Sequence, residues 1–177
     1  MSHAVPHTER MPDGLYQVKF RYAGEADWRF GTVYDTDAET RKAWKDGILL
    51  VEDAVAPKRW EIPISECEIV ALDICKDREF EEFVGRKYEA AVETARKSKG
   101  LVGKMFSEGV GDGNATYVVT EVKGSQAKIE WRGFCLDRWV ARPWGWGGWF
   151  PKKMVAEEVR REDGMREIFK PLSGIGV

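Results

Sequence analysis

The chain has 177 residues, 43% hydrophobic and 33% charged, with a formal net charge of −2. That length allows one large domain or two small ones with a real core, and the near-neutral balance excludes a protein whose whole body wraps a polyanion. No stretch approaches the ~18 consecutive apolar residues of a membrane span and no apolar leader follows Met1, so a cytoplasmic protein without membrane association is expected.

Residues 1–12 are polar, contain Pro6 and Pro12, and are expected to form a flexible tail. Residues 14–22 alternate, with Tyr16, Val18, Phe20 and Tyr22 on one face, and 28–34 resume the alternation after a turn, which predicts a hairpin. Residues 35–47 form a polar excursion with one short helical turn, capped by Asp35 or Thr36 and stopped at Gly47. Buried strands are expected at Ile48–Val51, Arg59–Ile64 and Glu68–Leu72, with Pro63 marking an edge or a break because proline donates nothing to a ladder.

Residues 77–99 are the one convincing helix, with Phe80, Phe83, Val84, Tyr88, Ala91, Val92 and Ala95 at three- and four-residue spacing. Its first turn is acidic and its last basic, Gly100 is the expected stop, and Gly85 inside it hints at close packing against another element. Period 2 then returns at Leu101–Phe106, Ala115–Val122 and Ala127–Trp131, with Lys123-Gly124-Ser125-Gln126 as a hairpin turn. Shorter strands are expected at Trp139–Ala141, Trp149–Phe150 and Met154–Val159, and a loose tail over 161–177.

Charge is unevenly placed along this order. Residues 13–82 carry 17 acidic and 10 basic side chains, whereas 122–161 carry 9 basic and 4 acidic, together with five of the chain's eight tryptophans. Within the second stretch Trp131, Arg132, Arg138, Trp139, Arg142, Trp144 and Trp146, continued by Lys152 and Lys153, interleave aromatic and cationic groups. Such a set suits a contact platform in which indoles stack on bases and cations meet phosphates, and Gly145, Gly147 and Gly148 would leave Trp144 and Trp146 open. The competing reading is that two or three of these tryptophans fill a core and the arginines are solvated around it.

Other motifs carry less. Cys67, Cys75 and Cys135 are odd in number and share no C-x-x-C spacing, so reduced thiols packed as small apolar groups are expected rather than a disulfide or metal site. The glycines of Gly109–Asn114 precede a strand and no lysine-serine pair, so an inter-strand loop is expected rather than a phosphate cradle. His3 and His7, the only histidines, lie in the expected tail, and Glu81–Glu82 and Glu157–Glu158 lie on expected solvated faces. No catalytic residues, cofactor or metal site are therefore assigned, and a non-enzymatic protein is expected.

Trp60-Glu61-Ile62-Pro63 and Trp149-Phe150-Pro151 each place a tryptophan and an apolar residue before proline and each closes a run of about four strands, a pattern a duplication or chance would give. Gly148–Val155 resembles the end of an SH3-type barrel, where a glycine, an aromatic or aliphatic residue and a proline lead through a tight turn into the last strand. Tyr16–Phe20 and Trp28–Val33 are similar in style to Tudor-like chromatin-reader barrels.

The resemblance implies a mainly-β protein of two small SH3-like barrels, over 13–74 and 100–160, bridged by a helix at 75–99. One α+β domain with the helix across a single curved sheet is the competing architecture. The expected function is non-catalytic nucleic-acid association through the basic, tryptophan-rich second module. The alternative is an adaptor that takes a methylated or proline-rich peptide on exposed aromatics.

Overall fold

The computed structural model describes residues 3–4, 11–12, 15–22, 24–72, 77–111, 113–134 and 139–169. In chain order the elements are β1 (His3–Ala4), β2 (Leu15–Phe20), β3 (Arg29–Tyr34), α1 (Ala38–Lys45), β4 (Ile48–Asp53), β5 (Arg59–Pro63), a 3-10 turn (Ile64–Glu66), β6 (Cys67–Leu72), α2 (Arg78–Lys97), β7 (Met105–Val110), β8 (Gly113–Lys123), β9 (Gln126–Arg132), β10 (Gly147–Pro151) and α3 (Lys152–Phe169). The strands form two antiparallel sheets, six-stranded in the order β1-β6-β2-β3-β4-β5 and four-stranded in the order β10-β9-β8-β7. The mainly-β class is as expected, but neither sheet closes on itself, and α3 is a second long helix in addition to α2. The chain divides into two units, Met1–Arg86 and Lys87–Val177, with the division inside α2. None of the described helices is long and apolar enough to cross a membrane.

In the first unit, the alternation of β2 buries Tyr16, Val18 and Phe20 in a core shared with Val33, Leu49, Val51, Trp60, Ile62, Ile64 and Cys67. The opposite face of the sheet is covered too: Phe30 meets Phe80 edge-on at 5.8 Å and Phe83 at 4.8 Å, so the first half of α2 packs there. Two covered faces explain why β3 does not alternate simply, since Phe30 and Val33 are buried on opposite sides. Gly31 belongs to the same crossing, where a Cβ would overlap Val51 Cγ1. Asp37, rather than Asp35 or Thr36, caps α1 by accepting the Glu39 N–H at 3.0 Å. Gly47 follows α1 with φ 78°, and β5 with Pro63 is the outer strand, both as expected. Within the expected N-terminal tail, His3–Ala4 pairs with Ile69 and Glu68, and Met11 joins the core.

In the second unit, Phe106, Ala115, Tyr117, Val119, Ala127, Ile129 and Trp131 line one face of the four-stranded meander, and Val155 and Val159 of α3 close it. Here the structure corrects several expectations. Residues 101–104 form a turn before β7, and the positive φ lies at Gly103 (91°) instead of Gly100. Trp139–Ala141 forms no strand. Met154–Val159 is helical, because Val155 and Val159 recur at four residues among helix formers. The SH3-type ending read at Gly148–Val155 therefore leads from Pro151 into a helix, and α3 runs on into the stretch expected as a tail. Gly85 has no atom within 4 Å of the point where a Cβ would stand, so close packing does not account for it.

Candidate nucleic-acid or peptide contact site

The loop that carries the clustered tryptophans is held from beneath by one hydroxyl. Tyr117 of β8 accepts the Ala141 N–H at 3.0 Å and donates to the Gly145 carbonyl at 2.8 Å, and burial raises its pKa. The Trp131 indole N–H donates to the Trp139 carbonyl at 2.6 Å, fixing the other end. Gly147 then brings the loop onto β9, since at φ 106° its Cβ would collide with the Ile129 carbonyl oxygen. Only glycine fits that approach.

This loop divides the expected platform. Trp131 (1% exposed) and Trp144 (3%) are core, the latter edge-on to Phe106 at 5.1 Å and to Phe150 at 4.9 Å. A four-stranded sheet under one helix needs large rings to fill its interior, and these two do so. Trp139 is half-buried and lies over Gly113, whose missing Cβ would overlap its Nε1. That contact gives the glycine-rich β7–β8 loop a packing role. Trp146 is 48% exposed and meets Trp131 edge-on at 5.3 Å. Arg132 is half-buried and paired with Glu130, Arg142, Lys152 and Lys153 are exposed, and Arg138 lies outside the described residues.

Trp149, absent from the expected set, is 44% exposed on β10. The register sets it opposite Lys128, on the face turned from the core, while Phe150 beside it points inward onto Trp144. The signal was present in the sequence as parity: Phe150 is the apolar residue that must be buried, so its neighbour is not. Lys128 shares the outer face of β9–β10 with Trp149, whereas Trp146 and Arg142 are exposed on the 139–146 loop and Lys152 and Lys153 in the first turn of α3. None of these four cations forms an ion pair among the described residues.

The first unit offers a second surface, a groove of ≈ 550 Å³ lined by Arg21, Tyr22, Glu25, Ile62, Pro63 and Glu66, among others. Tyr22 is exposed and meets Trp60 at 4.9 Å with the rings tilted by 57°, and the Trp60 indole N–H donates to the buried Asp53 at 2.8 Å. Asp53 also accepts the Val55 and Ala56 N–H groups, so one carboxylate fixes both the loop and the ring. Lys58 and Arg29 already lie over Trp60, at 3.6 and 4.8 Å from its centroid. Glu25 is held by Arg29 through two hydrogen bonds, of 2.7 and 2.9 Å.

Two titratable groups depart from expectation or extend it. Burial pushes the Cys67 thiol up to about 12, which suits its role as an apolar filler; Cys75 and Cys135 lie outside the described residues, as does His7. Glu158 does not sit on a solvated face: burial first, and then the neighbouring Glu108 carboxyl, raise its pKa above the usual carboxylate range. Among the described residues no group of three or more His, Cys, Asp or Glu side chains could hold a metal ion. Compared with protein-family models, with curated proteins and with solved structures, the chain matches none.

Proposed function

We propose that this is a non-catalytic nucleic-acid-associated protein whose second unit meets the polymer through the β9–β10 surface. One observation carries the reading: Lys128 lies opposite the half-exposed Trp149, and the same stretch of chain adds the half-exposed Trp146 and the exposed Arg142, Lys152 and Lys153, all four cations without carboxylate partners among the described residues. Unneutralised cations favour phosphate, and an exposed indole offers a base its π-face. Because Trp146 packs on the core-facing Trp131 and Trp149 lies on the face turned from the core, each ring acts as a separate stacking point at the rim instead of part of one platform.

The test is fluorescence anisotropy of a labelled single-stranded 20-mer across a salt series. With about four phosphate contacts, log K should fall with log salt at a slope near −3. Lys152→Glu with Lys153→Glu should flatten that slope and weaken binding by about tenfold or more at low salt. Absence of binding at low salt would sink the reading.

The first unit supports a module of SH3-like or Tudor-like type. In it Trp60, Ile62 and Pro63 lead through a 3-10 turn into β6, which returns to pair with β2, the strand that opens the meander. An aliphatic residue and a proline before a tight turn support that reading, with Glu61 standing where the SH3-type ending has glycine. The groove beside Tyr22 favours the second reading, a peptide adaptor, for this unit. A lysine- or arginine-bearing peptide has carboxylates to meet in Glu61 and Glu66, which form no ion pair among the described residues. Isothermal titration of such a peptide against Tyr22→Ala, with loss of binding expected, tests it.

A further inference from the structure

We propose that the open edge of β5 takes an extended, lysine- or arginine-bearing peptide as an added strand. This rests on the adaptor reading of the groove beside Tyr22 and adds the form in which the peptide is held.

β5 is the outer strand of its sheet and pairs with β4 alone. Asp53 donates its N–H to the Lys58 carbonyl at 2.8 Å and Ile64 donates to the Gly47 carbonyl at 3.0 Å, so the even-numbered residues 58–64 turn their backbone toward β4. Arg59, Glu61 and Pro63 therefore turn theirs away from the sheet. The Pro63 carbonyl accepts the Cys67 thiol at 3.6 Å, and proline has no N–H to give. What stays open is the backbone of Arg59 and Glu61, two N–H groups and two carbonyls without partners among the described residues. Such an edge is a template for one more strand, and Pro57 and Pro63 confine the pairing to the few residues between them.

Space and charge say what fits there. The groove of ≈ 550 Å³ is lined by Glu61, Ile62 and Pro63 of this strand and by Arg21 and Tyr22, and none of its described lining residues belongs to β4. It lies on the open side. Arg21 is over the Trp28 ring at 4.3 Å and Glu25 is held by Arg29, which leaves Glu61 and Glu66 as carboxylates without an ion pair among the described residues. The unmatched charge is negative, so the occupant is basic. In β5 Arg59, Glu61 and Pro63 are exposed while Trp60 and Ile62 are buried. A peptide residue beside Glu61 puts its side chain on the same exposed face, where a lysine or arginine meets the carboxylate. Its two neighbours turn to the other side, on which Tyr22 meets Trp60, and suit apolar residues. The recognised pattern alternates basic with apolar, and a proline-rich peptide is rejected because it lacks the N–H groups that complete the ladder.

Isothermal titration of the full chain tests this with a capped heptapeptide of alternating valine and lysine and two backbone N-methylated forms, one methylated at every lysine and one at every valine. Only alternate N–H groups of an added strand face β5, so one form should bind about tenfold or more weakly than the other. Glu61→Pro removes an outward N–H and no bond to β4, and should weaken the unmodified peptide by about tenfold or more at an unchanged unfolding midpoint. Glu61→Gln keeps that N–H and should cost less affinity while reducing its salt dependence. Equal binding of the two methylated forms overturns the added strand and leaves the adaptor reading standing, whereas no binding of the unmodified peptide overturns both. A dimer of the unliganded chain in sedimentation, dissolved by Glu61→Pro, would mean that a second copy takes the edge and overturns the peptide assignment. Should Glu61→Pro fail to fold, the methylated pair still decides.

Discussion

Two outer strands, β5 in the first unit and β10 in the second, end in nearly the same letters and put their tryptophans on opposite sides. In β5 the order is Trp60-Glu61-Ile62-Pro63, and in β10 it is Gly148-Trp149-Phe150-Pro151. The residue before proline faces inward in both, as Ile62 and as Phe150. Counting back from there, Trp60 is two residues away and returns to the core face, whereas Trp149 is one residue away and is turned out. Trp149 thus corresponds to the exposed Glu61 and not to Trp60. A one-residue difference in a period-2 element inverts a side chain's face, which here decides whether an indole builds the core or faces outward. Beyond the prolines the two segments part as well: Ile64-Ser65-Glu66 makes a tight turn into β6, and Lys152 onward makes α3.

The widest test of this contrast is a pair of truncations. Trp60→Ala should lower stability by roughly 3–5 kcal/mol in denaturant unfolding, since it empties core volume and leaves Asp53 without its indole donor, while Trp149→Ala should change it by less than about 0.5 kcal/mol. Equal losses would break the parity argument. Next in size is Gly147→Ala, where a Cβ has no room above the Ile129 carbonyl and φ is 106°. Strain of this kind typically amounts to about 1–3 kcal/mol, and a neutral outcome would mean that the loop does not need its close approach to β9 to hold Trp144.

Most strands were readable from alternation because each buries a face, and α2 from its spacing, although that spacing serves two units: Phe80 and Val84 are buried in one, Ala95 in the other. What alternation cannot convey is which partner waits on each face. The apolar run at 139–141 has strand-like letters, yet Tyr117 and Trp131 capture its backbone as a loop through side-chain hydrogen bonds from 24 and 8 residues upstream. Composition alone does not sort Trp144, packed between Phe106 and Phe150, from the half-exposed Trp146 two residues on.

The smallest expected effect has the opposite sign and separates the two kinds of glycine. Gly147 has no space for a methyl group, whereas Gly85, on the exposed side of α2, has nothing within 4 Å of the position a Cβ would take and carries no positive φ. A helix-interior glycine of this kind retains only its entropic cost, so Gly85→Ala should raise stability by up to about 1 kcal/mol, read as a higher denaturant midpoint at unchanged slope. A loss instead would mean that the open side of α2 at this position is covered in solution, because a methyl group on a free helix face has nothing else to disturb.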